Sequence, residues 1–258
     1  MRSSSQSRLP LLAIGALGAW IAYLLKARQA AERMAAAALE TLLNAVDAND
    51  PETGAHVRRV AQYAGVLADA AGLDGDERRM VERVALFHDI GKIHEALFDI
   101  IHDDEALSPE DREAIATHPA RGASVLEPLC SFYPELPEGV LSHHERWDGK
   151  GYPRGLRGEE IPLKARIVTL ADTFDAITHS RRYRPGQNAD HAAQVFAENR
   201  GSQFDPALVD LMLSPPVWRL LLDMHREAHR PRRAERRSGR QEHPVPDVSF
   251  RWRRPITQ

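Results

Sequence analysis

The sequence predicts an all-α protein, on three observations. Apolar residues recur at three- and four-residue spacing along most of the chain, breakers such as Asn49-Asp50-Pro51 and Gly72 punctuate those runs, and no apolar-polar alternation persists long enough for a sheet. At 258 residues there is room for one domain of about 180 residues with a proper core, plus appendages at both ends.

The elements follow in order. From Leu9 to Leu25 run seventeen uncharged residues, LPLLAIGALGAWIAYLL, bounded by Arg8 and Lys26. That length is close to the minimum for one membrane-crossing helix, so residues 1–28 are expected to be a single-pass inner-membrane anchor, with a secretory signal peptide or an interfacial helix as the alternatives. Lys26, Arg28 and Arg33 follow the run against Arg2 and Arg8 before it, which favours a cytoplasmic body. Residues 29–48 lack Gly and Pro and place Leu39, Leu42, Leu43 and Val46 at helical spacing. They read as a stalk helix whose leucines either pack on the domain or form a homodimer seam. Asp50 then suits an N-cap and Pro51 a first helical turn. Further helices are expected at about 76–90, 109–117, 120–131, 136–146, 163–179, 189–199 and 205–213, completing a domain over 49–225.

Charge is uneven. Residues 226–258 hold ten Arg against Glu227, Glu235, Glu242 and Asp247, leaving the remainder at −9 within an overall −3. This Arg- and Pro-rich tail is expected to be disordered, either solvated or drawn to anionic lipid headgroups. Nucleic acid is not an expected partner, because charge alone stands there without a recognisable binding fold. The lone Cys130 excludes an intramolecular disulfide and a cysteine-based zinc cluster.

The candidate chemistry lies in titratable residues. Glu52 and His56, four apart, share one face of a helix that starts at Pro51. His88 and Asp89 are adjacent at the end of an apolar helix and offer a nitrogen and a carboxylate oxygen to a metal. Gly91 lets the backbone turn Lys92 toward the same place. His143 and His144, if helical, point about 100° apart, which suits two neighbouring ions better than one. Asp172 sits in an otherwise apolar helix where an unpaired carboxylate is costly and a cation is the simplest remedy. His94, His102, His179, His191, His225, His229 and His243 read as ordinary surface or core residues.

The ordered series DPETGAHVRRV, ALFHDIGKI, ATHPARGASVL, LSHHERWDGKGYPRGLRGEEIPLKARIVTLADTFDAI and GSQFDPALV resembles an HD-GYP domain, the branch of the HD phosphohydrolase superfamily that hydrolyses cyclic di-GMP. The resemblance spans roughly Asp50 to Leu213 and implies an HD-domain helical bundle. It implies metal ligands at His56, His88, Asp89, His118, His143, His144 and Asp172, with Asp89 bridging and Glu52 joining where three ions rather than two are held. Two or three divalent ions, iron or manganese by donor type, are the implied cofactors. Lys92 resembles the family's phosphate-contacting lysine, and Arg181 and Arg184 match arginines that grip the second phosphate or a guanine edge. The implied reaction is cyclic di-GMP to pGpG, with a slow cut to GMP where three metals are present. Another nucleotide substrate and a non-catalytic sensor or docking module are the alternatives.

Two departures stand out. Residues 93–107 differ from the family's GIPDxILxKPGxL-like stretch, and Arg182 replaces the proline of an RPYR-like segment. Trp147 and Tyr152 either form a docking surface for a diguanylate cyclase, as the resemblance implies, or brace a Gly-rich loop, and Tyr152 is also expected to contact substrate. Asp148 is expected to cap the turn through Gly149 and Gly151.

Overall fold

The computed structural model describes residues 9–93, 108–179 and 188–228, with side chains from Leu17 onward. The altered segment from His94, Arg181, Arg184 and the basic tail from His229 lie outside the described residues. Within them the chain is an all-helical bundle; among the described residues there is no strand, only isolated bridges of Asp148 with Arg157 and Arg200 with Phe204.

Helix α1 (Leu9–Asn49) is one continuous helix. The expected single-pass placement in the inner membrane is overturned here: among the described residues no helix is long and apolar enough to cross a membrane. The apolar run supplies about 25 Å of helix at 1.5 Å per residue against a hydrocarbon core of roughly 30 Å. The same helix then continues without a break into Arg28, Glu32 and Arg33, the first two paired at 2.9 Å.

The last third of α1 belongs to the core. Ala35, Leu39, Leu43 and Val46 are buried, so the leucines of the expected stalk pack on the domain. Leu39→Ala is therefore expected to lower unfolding stability by about 2–5 kcal/mol, as for a truncated core leucine. An unchanged urea midpoint would contradict this packing.

Helix α2 (Pro51–Ala70) is the centre of the bundle, against α1, α3 (Gly75–Phe87), α7 (Leu163–Thr178) and α10 (Pro215–Ala228). Asp50 caps it as expected, accepting from the amides of Glu52 and Thr53 at 3.0 and 3.2 Å. A reciprocal Asp74–Glu77 capping box opens α3. A tight 3-10 turn (Ile90–Ile93) follows α3, then α4 (Pro109–Ile115), α5 (His118–Leu126), which packs on that turn, and α6 (Leu136–Leu141), which packs on α5 and α3. α8 (Ala189–Glu198) and α9 (Pro206–Met212) close the bundle beyond α7.

Helix α10 lies where the sequence reading ends its last helix, at about residue 213. Pro215 and Pro216 open it, and prolines in a first turn cost no hydrogen bond. Leu221 is buried, and Trp218 meets the edge of Phe174 at a centroid distance of 5.6 Å. Residues 226–228, assigned by sequence to the tail, are the end of this helix.

Candidate metal centre

Five helix termini or faces converge beside α2. His56 projects from the second turn of α2, His88 and Asp89 stand where α3 stops, Lys92 lies in the 3-10 turn, His118 opens α5, His143 and His144 follow the end of α6, and Asp172 comes from α7. Chain ends at a site matter because a terminating helix releases backbone carbonyls to orient side chains. His88 Nδ1 lies 2.7 Å from Ala85 O, His118 Nδ1 2.7 Å from Ile115 O, and His143 Nδ1 2.6 Å from Val140 O. A carbonyl only accepts, so each Nδ1 carries the proton and each Nε2 presents a bare lone pair to the interior.

The donors fall into two groups, His56 with His88 and Asp172, and His118 with His143 and His144, each with ligand atoms within 4.8 Å of one another. Asp89 lies between them. Its Oδ2 is 3.9 Å from His56 Nε2 and 3.5 Å from His88 Nε2, while Oδ1 is 3.3 Å from His118 Nε2 and 4.0 Å from His143 Nε2. Asp172 Oδ1 stands 3.3 Å from His56 Nε2. Lys92 Nζ donates to Asp89 Oδ2 at 2.7 Å.

The adjacent pair departs from the geometry the sequence suggested. His143 and His144 sit in one group with ring centroids 4.2 Å apart. The helical separation of about 100° does not apply because α6 ends at Leu141 and both residues lie in the turn beyond it.

These residues fit divalent metal ions. His88 Nε2 and Asp89 Oδ1 are buried without a hydrogen-bond partner. His118 Nε2 and His143 Nε2 face each other at 3.1 Å, and two lone pairs at that distance repel unless a cation lies between or beside them. Nitrogen and oxygen donors without thiolate suit hard to borderline divalent ions.

The electrostatics agree. Burial holds His88 and His143 below the usual imidazole value, and burial beside His118 and Lys92 brings His144 down to about 4, so these rings are neutral at pH 7. For Asp89, burial opposes the charge but the Lys92 ammonium outweighs it, keeping the carboxyl ionised. His56 differs: burial opposes its protonation, yet Asp172 and Asp175 raise it to about 9.

Several contributors escaped the sequence reading. Asp175 is 1% exposed and its Oδ2 lies 2.7 Å from His56 Nδ1, while Arg59 grips both its oxygens at 2.7 and 2.9 Å. Its position one turn after Asp172, facing an arginine one turn after His56, is a signal that pattern reading can use. His179, read as ordinary, places Nδ1 3.0 Å from Asp175 Oδ1. Glu145, 2% exposed, accepts from the amides of Arg154 and Leu156 at 2.7 and 3.0 Å and so folds residues 145–156 back beside the site.

In that loop Tyr152 stacks on His144 at 4.9 Å and 19°. Trp147 lies under the Arg166 guanidinium at 5.6 Å. Asp148 accepts from the Lys150 amide at 3.1 Å and from Nε and Nη2 of Arg146, the turn-capping expected of it. Gly151 admits no side chain, since an added Cβ would stand 2.4 Å from Arg146 N. Glu52 is exposed on the first turn of α2 and belongs to neither donor group.

Comparison with known proteins places this geometry. Residues 40–208 match the family model described as HD domain. Over 177 residues the chain is 37% identical to the cyclic di-GMP phosphodiesterase response regulator RpfG of Xanthomonas campestris, covering 68% of this chain and 46% of that protein. Over 174 residues it is 36% identical to 3'3'-cGAMP-specific phosphodiesterase 2 of Vibrio cholerae, covering 67% of this chain and 33% of that protein. The chain thus spans less than half the length of each of these relatives. The HD domain of the Listeria monocytogenes phosphodiesterase PgpH, solved with cyclic-di-AMP, shares the fold with a TM-score of 0.53 at 18% identity, covering 74% of this chain and 98% of that one. With its motifs in the order His56, His88-Asp89, His118, His143-His144 and Asp172, the chain belongs to the HD domain family.

Proposed function

We propose that this chain is a metal-dependent phosphodiesterase that opens cyclic di-GMP to pGpG. The observation that carries the reading is the Asp89 carboxylate between two imidazole-rich groups, one oxygen toward each. His56, His88, Asp172 and Asp89 Oδ2 would hold one divalent ion, and His118, His143, His144 and Asp89 Oδ1 a second, iron or manganese by donor chemistry. Ions so held supply Lewis acidity to a phosphoryl oxygen and a nucleophilic water at neutral pH. A third ion, and with it a further cut to GMP, would draw on Glu52.

The chain's other residues bind and orient. Lys92, held at 2.7 Å from Asp89 and 28% exposed at its side chain, offers a cation to the phosphoryl oxygens as charge develops. Tyr152 presents an aromatic wall over His144, and Arg181 and Arg184 would grip the far phosphate or a guanine edge. Residues 147–153 would also serve for docking a diguanylate cyclase.

A second reading, preference for 3'3'-cGAMP, is favoured by the 36% identity to a protein named for that specificity. Turnover of cyclic di-GMP, 3'3'-cGAMP and cyclic di-AMP by the full chain, loaded anaerobically with iron or manganese, separates the two. Fastest conversion of cyclic di-GMP to pGpG, abolished by chelator, is expected. Faster cleavage of 3'3'-cGAMP selects the second reading, and a metal-replete chain inert toward all three overturns both.

The raised pKa of His56, about 9, sets a pH dependence with a definite sign. In the metal-free protein this proton stabilises the fold fully below pH about 6.5, and that contribution is lost as pH rises through about 9. A metal must displace the same proton, so affinity at the His56 group is expected to rise about tenfold per pH unit up to that value. His144, brought down to about 4, has no such proton to lose at neutral pH. Manganese titrations at pH 7 and 8 check this, and equal affinities at both pH values in both groups would contradict it.

A further inference from the structure

His88, His118 and His143 are each oriented by a carbonyl three residues upstream, so their aim is built into their own chain segment. His56 is not. It lies inside the uninterrupted helix α2, where backbone carbonyls are occupied by the helix itself, and its Nδ1 must find a partner elsewhere. That partner is Asp175 of α7, at 2.7 Å. The Asp175 carboxylate is held in turn: Arg59 bonds both its oxygens, and His179 approaches Oδ1 at 3.0 Å.

A carboxylate that receives Nδ1–H fixes the ring plane and leaves Nε2 to face Asp172 at 3.3 Å and Asp89 at 3.9 Å. From this geometry we infer that Asp175, clamped by Arg59, is the positioning residue of the His56 group and sets its metal affinity selectively, leaving the His118 group unaffected. The inference rests on the metal-dependent reading proposed above. A brace that merely tied α2 to α7 would instead, when removed, disturb both groups or neither.

The test uses the full chain with Asp175→Asn, which keeps shape and removes charge. In metal-free protein carrying 15N-labelled histidine, the His56 Nδ1–H, assigned by its absence from His56→Ala, is expected downfield in the wild type and displaced or lost in the variant. In Mn(II) titrations the wild type is expected to show two uptake steps, and His118→Ala identifies which belongs to its own group. Asp175→Asn should weaken the other step by about 10–100-fold and leave the His118 step unchanged. Arg59→Gln should weaken the same step by less, and it carries the test if Asp175→Asn does not fold. Equal weakening of both steps, or no change in uptake and in the His56 resonance, overturns the inference while leaving the phosphodiesterase reading standing. A wild-type chain that takes up no Mn(II) overturns that reading and, with it, the affinity claim made for Asp175.

Discussion

Asp89→Ala is expected to weaken metal uptake at both groups and to lower turnover by at least about a thousandfold, the scale seen when transition-state charge loses its stabilisation. The reason is geometric: Asp89 is the only one of the candidate ligands with an oxygen directed at each group. Loss of any other single ligand takes a donor from one group, whereas Asp89→Ala takes one from both at once. The fold should survive. Asp89 faces Lys92 and the imidazoles of His88 and His118, and Lys92 retains access to solvent at its side chain. Metal analysis and initial rates on the purified variant check both parts. Retention of one ion per chain with rates within tenfold of wild type would show that the carboxylate is not shared.

Gly91→Ala is expected to be nearly as damaging by a different route. A Cβ on Gly91 would stand 2.1 Å from His118 O and 2.7 Å from Gly122 N, both backbone atoms of α5. Neither can swing aside, so the 3-10 turn and α5 must separate. A cost of about 3 kcal/mol or more is expected from such overpacking. The separation moves His118 away from Asp89, and a displacement of about 1 Å at a reacting centre costs roughly a hundredfold in rate. Thermal melts and turnover of the same preparation test the coupling. A variant with wild-type melting and activity would show that the close approach of turn and helix is not required.

The site was legible in sequence to the extent that its chemistry is local. His88 and Asp89 are neighbours at a helix end and His56 lies early in a helix that Pro51 opens, so spacing nominated them, while Glu52, paired with His56 by the same spacing, lies in neither donor group. Orientation was not legible. Whether His143 and His144 serve one group or two depends on α6 stopping at Leu141, and a helix that stops early differs from one that continues only through packing that no local pattern records. Asp175 escaped for a related reason. Its role arises from the crossing of α2 and α7, which brings it to His56 from 119 positions away.

The fold was legible where apolar periodicity was clean and was misread where a local rule has two outcomes. Pro215 and Pro216 end one helix and equally well begin another, and the buried Leu221 and the Trp218–Phe174 contact decide for the second. The apolar run from Leu9 was misread because its composition matches a membrane segment, while its length falls short of one and the helix carries on through charged residues into the core.

That Asp89 joins two metal positions is open to direct observation. Anomalous diffraction from crystals of the full chain grown with Mn(II), recorded on either side of the manganese edge, tests it most directly. The account predicts two peaks about 3.5–4 Å apart, one beside His56, His88 and Asp172, the other beside His118, His143 and His144, with the Asp89 carboxylate between them. A single peak, or two peaks that share no contact with Asp89, would contradict it.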